Sequence, residues 1–411
     1  MGNVIIVGGG ASGLVAAVFA ARQKNNVTVL EHKDKIGKKI LATGNGKCNY
    51  TNLYQHPECY RGDDSSFAMQ VLPLFDVSRT VDFFKELGIY PKERNGYVYP
   101  NSEQASSVVE VLRLELMQLK VKSCCEVHVE RIVKEKGRFR ITADKGDFTA
   151  DQVILAAGGC ASPNLGSDGS GYGLAKDLGH RIIKPLPALV QLKASAKYFK
   201  TLAGVRTGAL IQLFIDGKYR AKEQGELLLA AYGVSGIPIM QLSRYASRAL
   251  SEKKKVHLII DYLPSIDKEE VVQLLWERTR RNPSRTMEEA LIGLLNHKLA
   301  YAGLKEAGMD PLCLCGTVGK DKLQGLARQL KEWKVDITEP NSFDQAQVSA
   351  GGVDTAEINP DTMESKLVKG LYFAGELIDI DGTCGGYNLQ WAWTTGAVAG
   401  MNCGKGSDRN A

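Results

Sequence analysis

The chain has 411 residues, of which 44% are hydrophobic and 24% charged, with 43 Gly and 13 Pro; this balance excludes collagen-like, disordered and small disulfide-scaffold classes. Lys plus Arg number 52 and Asp plus Glu 46, so the net charge is +6, short of the charge blocks of dedicated nucleic-acid binders. No apolar run approaches the roughly 18 residues of a spanning helix, no basic stretch with an apolar core and cleavage site opens the chain, and the nine Cys form no C-x-x-C pair. The expectation is a cytoplasmic protein with reduced thiols and no membrane insertion.

In chain order, Val4-Ile5-Ile6-Val7 is a β-branched run that ends in Gly8-Gly9-Gly10-Ala11-Ser12-Gly13 and passes into the helix-like Leu14 to Ala21. Asn25-Asn26 breaks that helix, and Val27 to Glu31 reads as a second buried strand ending in a carboxylate, which completes a βαβ unit. Residues 66 to 120 read as largely helical with an interruption from Tyr90 to Pro100, followed by strands at Val127 to Val133, Arg138 to Ala143 and Val153 to Ala156. Past Pro187 strands are expected at Leu189 to Ala194, Ala209 to Ile215 and His257 to Asp261, then amphipathic helix from Lys268 to about Ala307 with a break at Pro283. Leu371 to Ala374, Gly375-Glu376 and a helical run after Gly385-Gly386 repeat the strand, glycine and acid arrangement. The C-terminus is therefore expected to fold back onto the N-terminal sheet, around an insertion.

Gly8, Gly10 and Gly13 follow a strand and open a helix, and Glu31 ends the next strand. In that context the glycines serve a tight turn, close approach of a pyrophosphate and helix-on-strand packing, while Glu31 accepts hydrogen bonds from a ribose diol. A carboxylate there disfavours a 2′-phosphate. FAD is favoured over NAD, because the strand Leu371 to Glu376, with Asp379 and Asp381, offers a second segment for the ribityl chain and ring. Gly37 to Asn49 is too glycine-rich and cationic for a helix; its Lys38, Lys39 and Lys47 could cradle phosphate, although by itself the segment also reads as a basic surface loop.

Gly37 to Asn49, Ala350 to Val353, Met363 to Leu367 and Gly370 to Glu376 through Gly385-Gly386-Tyr387-Asn388-Leu389-Gln390-Trp391-Ala392-Trp393 together resemble a family of FAD-dependent oxidoreductases. That family includes aminoacetone oxidase, a bile-acid dehydro-reductase of the 3-dehydro-4,6-reductase type and a ribosomal-RNA dihydrouridine synthase. The resemblance covers essentially the whole chain. It implies an α/β, Rossmann-like two-dinucleotide-binding-domain FAD fold with an inserted β-barrel-like domain and a helical subdomain. The boundaries expected are 1–185 plus 346–411 for the FAD domain, 186–264 plus 316–345 for the β-rich substrate domain and 265–315 for the helices.

Carried over position by position, the resemblance implies that Gly8, Gly10, Ala11, Ser12, Gly13 and Glu31 hold the ADP half of a non-covalent FAD, with Val129 as a backbone contact to adenine. Ala157 and Gly158 would lie near pyrophosphate or ribose. Lys39, Asn45, Gly46, Lys47, Cys48 and Asn49 would line the flavin, Gly375, Glu376 and Asp381 the ribityl and phosphate region, and Gly386, Tyr387, Asn388 and Leu389 the pyrimidine end. Where many relatives carry a Thr and a polar His or Asp, this chain has Ala230-Ala231 before Tyr232, so a relative's substrate does not transfer directly.

The activity expected is reduction of a carbonyl-conjugated C=C bond, of the 3-oxo-4-ene or 4,6-diene steroid or bile-acid type, with NAD(P)H as electron donor and Tyr387 as candidate proton donor. The alternatives are an rRNA uridine reductase and an FAD amine oxidase using O₂. Arg278, Arg280, Arg281 and Arg285 form a basic block that reads as a solvated helix face or, in the sharper reading, an RNA contact within a ribosome-assembly role. The small-molecule substrate is favoured over RNA, and the oligomeric state is left open. His32, His56, His128, His180, His257 and His297 show no metal spacing and are expected to be structural or surface residues; no metal is expected. Cys48 and Cys384 are expected to be packed thiols rather than a redox pair.

Overall fold

A computed structural model describes residues 2–404. The backbone divides into two compact units, residues 2–187 with 346–404 and residues 188–345.

The first unit is built on a five-stranded parallel sheet in the order Leu371–Phe373, Gln152–Leu155, β1 (Asn3–Val7), β2 (Asn26–Leu30), Lys122–Cys124. The near-continuous burial of Val4 to Val7 and of Val27, Val29 and Leu30 is what a parallel sheet covered on both faces demands. Helix α1 (Ala11–Arg22) crosses from β1 to β2. The C-terminal helix Tyr387–Asn402 lies on α1, and small residues allow the close crossing. A Cβ at Gly396 would stand 2.3 Å from the Ser12 carbonyl oxygen, and one at Gly400 would stand 2.5 Å from that of Ala16. A three-stranded antiparallel sheet, Val129–Glu135, Arg138–Ala143 and Gly146–Ala150, follows.

Three local expectations for this unit change. Helix α2 (Lys38–Ala42) forms inside the glycine-rich segment expected to be a loop. Gly37 supplies the left-handed turn ahead of it at φ 74°, and Ile40 buries beneath it. The interruption at 90 to 100 is a hairpin, Pro91–Arg94 with Tyr97–Pro100, closed by Asn95 and Gly96 at φ 52° and 86°, which are the two positive values of its tight turn. The strand Lys122–Cys124 was not anticipated, because three residues carry no period.

The second unit contains a closed six-stranded barrel, in the order Leu192–Ala194, Gly233–Ser235, Lys218–Ala230, Arg206–Ile215, Val256–Asp261, Trp333–Pro340. Its interior is filled by Ala209, Ile211, Leu213, Leu227, Leu229, Leu258 and Ile260. The longest strand, Lys218–Ala230, escaped the sequence reading because it is charged or polar at most positions up to Glu226, and its apolar run begins only at Leu227. The strand expected from Leu189 begins at Leu192 instead, Leu189 itself standing at φ 47°. The helix Ile237–Ser251 was not anticipated either. The stretch from Lys268 is three helices, Lys268–Arg281, Met287–Ala290 and His297–Glu306. With Lys320–Lys331 they enclose a separate core of Val271, Leu275, Met287, Leu291, Leu304, Leu323, Leu326 and Leu330. Among the described residues no helix is long and apolar enough to cross a membrane.

Candidate functional site

The carboxyl ends of β1 and β2 open into a cleft within the first unit, the position where open parallel sheets bind nucleotides. Gly8, at φ 107°, turns the chain out of β1; a Cβ there would stand 2.4 Å from the Ala156 carbonyl oxygen. A Cβ on Gly13 would stand 1.9 Å from the Gly8 carbonyl oxygen, so this glycine seats α1 on the strand. Gly10 differs, because a Cβ there would meet nothing within 4 Å and would project into open space.

The start of α1 suits an anion. Gly10 supplies no side-chain cap and the first turn carries no acid, while the helical ladder starts with Leu14 N–H donating to Gly10 O at 2.9 Å. The preceding amides are left facing the cleft, where the helix dipole adds to their attraction for phosphate. Glu31 is buried at the end of β2. Its Oε2 accepts from Gly9 N–H at 2.8 Å and its Oε1 from Lys33 N–H at 2.8 Å. These bonds fix the rotamer and leave each oxygen a lone pair for a diol.

On the far wall, Lys39 on α2 donates to Glu376 Oε2 at 2.7 Å, to the Ala161 carbonyl at 3.0 Å and to Ser167 Oγ at 3.3 Å. Glu376 Oε1 accepts from Ser349 N–H at 2.8 Å. The turn that carries Glu376 is held down by the C-terminal helix: Gly375 N–H donates to Thr395 Oγ1 at 2.8 Å, and Trp391 Nε1 donates to Gly375 O at 3.2 Å.

The cleft therefore gathers Gly8, Gly10, Ala11, Ser12, Glu31, Lys39, Val129, Ala157, Gly158, Glu376, Asn388 and Leu389. Gly13 and Gly375 shape it from behind. Lys38 also lines it, paired with Asp34 at 2.5 Å. The remaining expected positions lie outside its lining. Lys47 pairs with Glu103 at 3.0 Å, where Lys92 and Arg94 also converge; that carboxylate, held down to about 2 by its cationic hydrogen bonds, draws the lysine away from the cleft. Asn45 and Gly46 are exposed in a turn with φ 54° and 82°, and Asn49 is buried. Cys48 is buried, and its thiol is pushed up to about 12 by that burial. Asp381 is buried in a two-residue strand paired with Tyr60–Arg61.

Gly386, at φ 96°, starts the C-terminal helix. Tyr387 follows it, buried, with its ring edge-on to Tyr60 at 5.8 Å. Burial and a side-chain hydrogen bond with Cys59 push its phenol well above the usual range, so it stays protonated. Leu165, Gly166, Ser167, His32 and His128 also line the cleft. Sequence reasoning missed them: Leu165 to Ser167 lie in a loop without period, and the two histidines show no spacing that marks a site.

The basic block of the second unit is partly committed to structure. Arg278 donates to the carbonyls of Ala290 and Ile292 at 3.0 and 3.1 Å. Arg280 donates to that of Val318 at 2.7 Å and lies 4.1 Å over Trp276.

A family model described as "HI0933-like protein Rossmann domain" matches residues 2–402. Over 402 residues the chain is 45% identical to a 3-dehydro-bile acid delta(4,6)-reductase of Clostridium scindens, covering 97% of this chain and 98% of that protein. It is 30% identical over 405 residues to a ribosomal RNA dihydrouridine synthase of Haemophilus influenzae, covering 97% of each. A protein of the same description from Escherichia coli is 28% identical over 397 residues, covering 96% of each.

Proposed function

Because the chain belongs to the HI0933-like Rossmann-domain family and is an FAD-dependent oxidoreductase, we propose that it reduces a C=C bond conjugated to a ketone in a flat polycyclic substrate of the 3-oxo-4-ene or 4,6-diene bile-acid or steroid type. The observation that carries this reading is the 45% identity, over nearly the full length of both chains, to a delta(4,6)-reductase, against 30% and 28% for the two RNA-modifying relatives.

The cleft fits the cofactor's pyrophosphate and adenosine, on the open cradle at Gly10 and the uncapped start of α1. Ala11 and Ser12 would hold the pyrophosphate and Glu31 the ribose diol, while Lys39 and Glu376 fix the opposite wall. When bound, FAD supplies the hydride that the β-carbon of the enone receives, and NAD(P)H is the proposed electron source. Tyr387 then holds the proton for the α-carbon, its phenol kept neutral by burial. The amides at the start of the helix Tyr387–Asn402, with no acid in its first turn, stabilise negative charge gathered nearby.

The test is anaerobic reduction of the flavin-loaded protein by NADH or NADPH, followed by exposure to single acceptors. Return of the oxidised flavin spectrum with a 3-oxo-4,6-diene bile acid is the expected result. Return only with uridine-containing rRNA would favour the reading that the H. influenzae and E. coli relatives suggest, and return only with O₂ would favour an oxidase.

A further inference from the structure

His32 follows Glu31 at the mouth of β2 and lines the same cleft, with a carboxylate near each ring nitrogen. Its Nδ1 lies 3.4 Å from Glu31 Oε1. Its Nε2 is shielded from solvent and has no hydrogen-bond partner, which costs free energy unless a ligand supplies one. A second acceptor, Asp168 Oδ2, stands 3.7 Å from it; the other oxygen of Asp168 accepts from Ser170 N–H and Oγ–H at 3.0 and 2.6 Å. The His128 ring approaches edge-on at 6.2 Å. The ribose hydroxyls of an adenosine both donate and accept, and so can satisfy this atom.

We propose that His32 is a ligand of the adenosine half of the dinucleotide, its Nε2 hydrogen-bonded to a ribose hydroxyl beside the Glu31 contact. The proposal rests on the reading of the cleft as the FAD site. It assigns to this histidine the role that its sequence neighbourhood did not reveal, and it adds a contact that FMN, which lacks the adenosine, cannot make.

The test compares His32→Gln, which keeps a hydrogen-bonding group at similar size, with His32→Leu, which removes it. The full chain, freed of flavin, is titrated calorimetrically with ADP, FAD and FMN, and the Tm of each unliganded protein is measured alongside. The expected result is about tenfold weaker ADP and FAD binding for His32→Leu, affinity within about threefold of the parent for His32→Gln, and FMN binding alike in all three. Equal ADP affinities for the Gln and Leu variants would overturn the proposal even if both lose stability, because the two side chains differ chiefly in hydrogen-bonding capacity. If the unsubstituted chain binds neither ADP nor FAD, it is the dinucleotide reading of the cleft that fails.

Discussion

The ammonium of Lys39 lies 2.7 Å from Glu376 Oε2, joining α2 to the turn after the last strand of the parallel sheet across 337 positions of sequence. Both side chains are about four-fifths buried, with 24% and 19% exposed, and each is also held by the protein elsewhere, Lys39 by Ala161 O and Glu376 by Ser349 N–H. The pair closes the wall of the cleft opposite α1. Removing the lysine leaves a carboxylate short of its charge partner in a part-buried place, which costs about 1–3 kcal/mol. Lys39→Ala is therefore expected to release FAD roughly 10- to 100-fold more readily, read by recovery of free-flavin fluorescence. Combined with Glu376→Gln, the double variant should lose less than the sum of the singles, which a double-mutant cycle measures.

Two glycines of the site should respond oppositely to a methyl group. At Gly10 an added Cβ meets no protein atom, so Gly10→Ala should leave the Tm of the flavin-free protein within about 2 °C while weakening FAD binding tenfold or more by occupying the pyrophosphate's place. At Gly396 an added Cβ stands 2.3 Å from the Ser12 carbonyl oxygen and would push the C-terminal helix off α1. Gly396→Ala should then lower stability by about 1–3 kcal/mol with or without FAD. Thermal melts of both variants with and without cofactor separate the two effects.

Tyr387→Phe should bind FAD with an unchanged spectrum and lower kcat by about 10²-fold or more if the phenol supplies the proton. Since burial and the Cys59 hydrogen bond raise that phenol's pKa, it remains protonated between pH 6 and 9, so kcat of the unsubstituted enzyme should show no basic limb from this group. A kcat that is the same for both proteins removes Tyr387 from the chemistry.

His180 gives stability a pH dependence. Its Nδ1 faces Glu357 Oε2 at 3.0 Å, and its Nε2 lies 2.9 Å from Ser365 Oγ, which itself accepts from the N–H groups of Leu367 and Val368. This arrangement suits the neutral ring, with Ser365 donating its proton to Nε2. Burial lowers the pKa, outweighing the opposing pull of Glu357. The unfolded chain, with an ordinary value near 6.5, then takes up a proton the folded chain refuses. Stability from this group is complete above about pH 6.5, falls as pH drops toward the folded value, and levels off below it. The slope in that window is at most about 1.4 kcal/mol per pH unit. Urea midpoints measured from pH 7.5 to 5 should show it, and His180→Gln should flatten it.

What the sequence determined by itself is local. β1, the glycine turn, α1, β2 and Glu31 were legible because each is a short-range pattern: a buried β-branched run, glycines where a side chain would strike backbone, and an acid one crossover later. The late strand Leu371–Phe373 was legible for the same reason, and the resemblance of the C-terminal run reached the fold as a whole. Tertiary structure decided everything that depends on distant partners. It gave Lys39 to Glu376 and Lys47 to Glu103, two fates for lysines eight residues apart that composition treats alike. It made a strand of Lys218–Ala230, because ladder hydrogen bonds on both sides outweigh a charged sequence whose side chains can face out. It left His32 Nε2 in the cleft without a hydrogen-bond partner, a fact that no spacing announces. An unsatisfied atom is a property of the space around it, and that space is set by residues more than a hundred positions away.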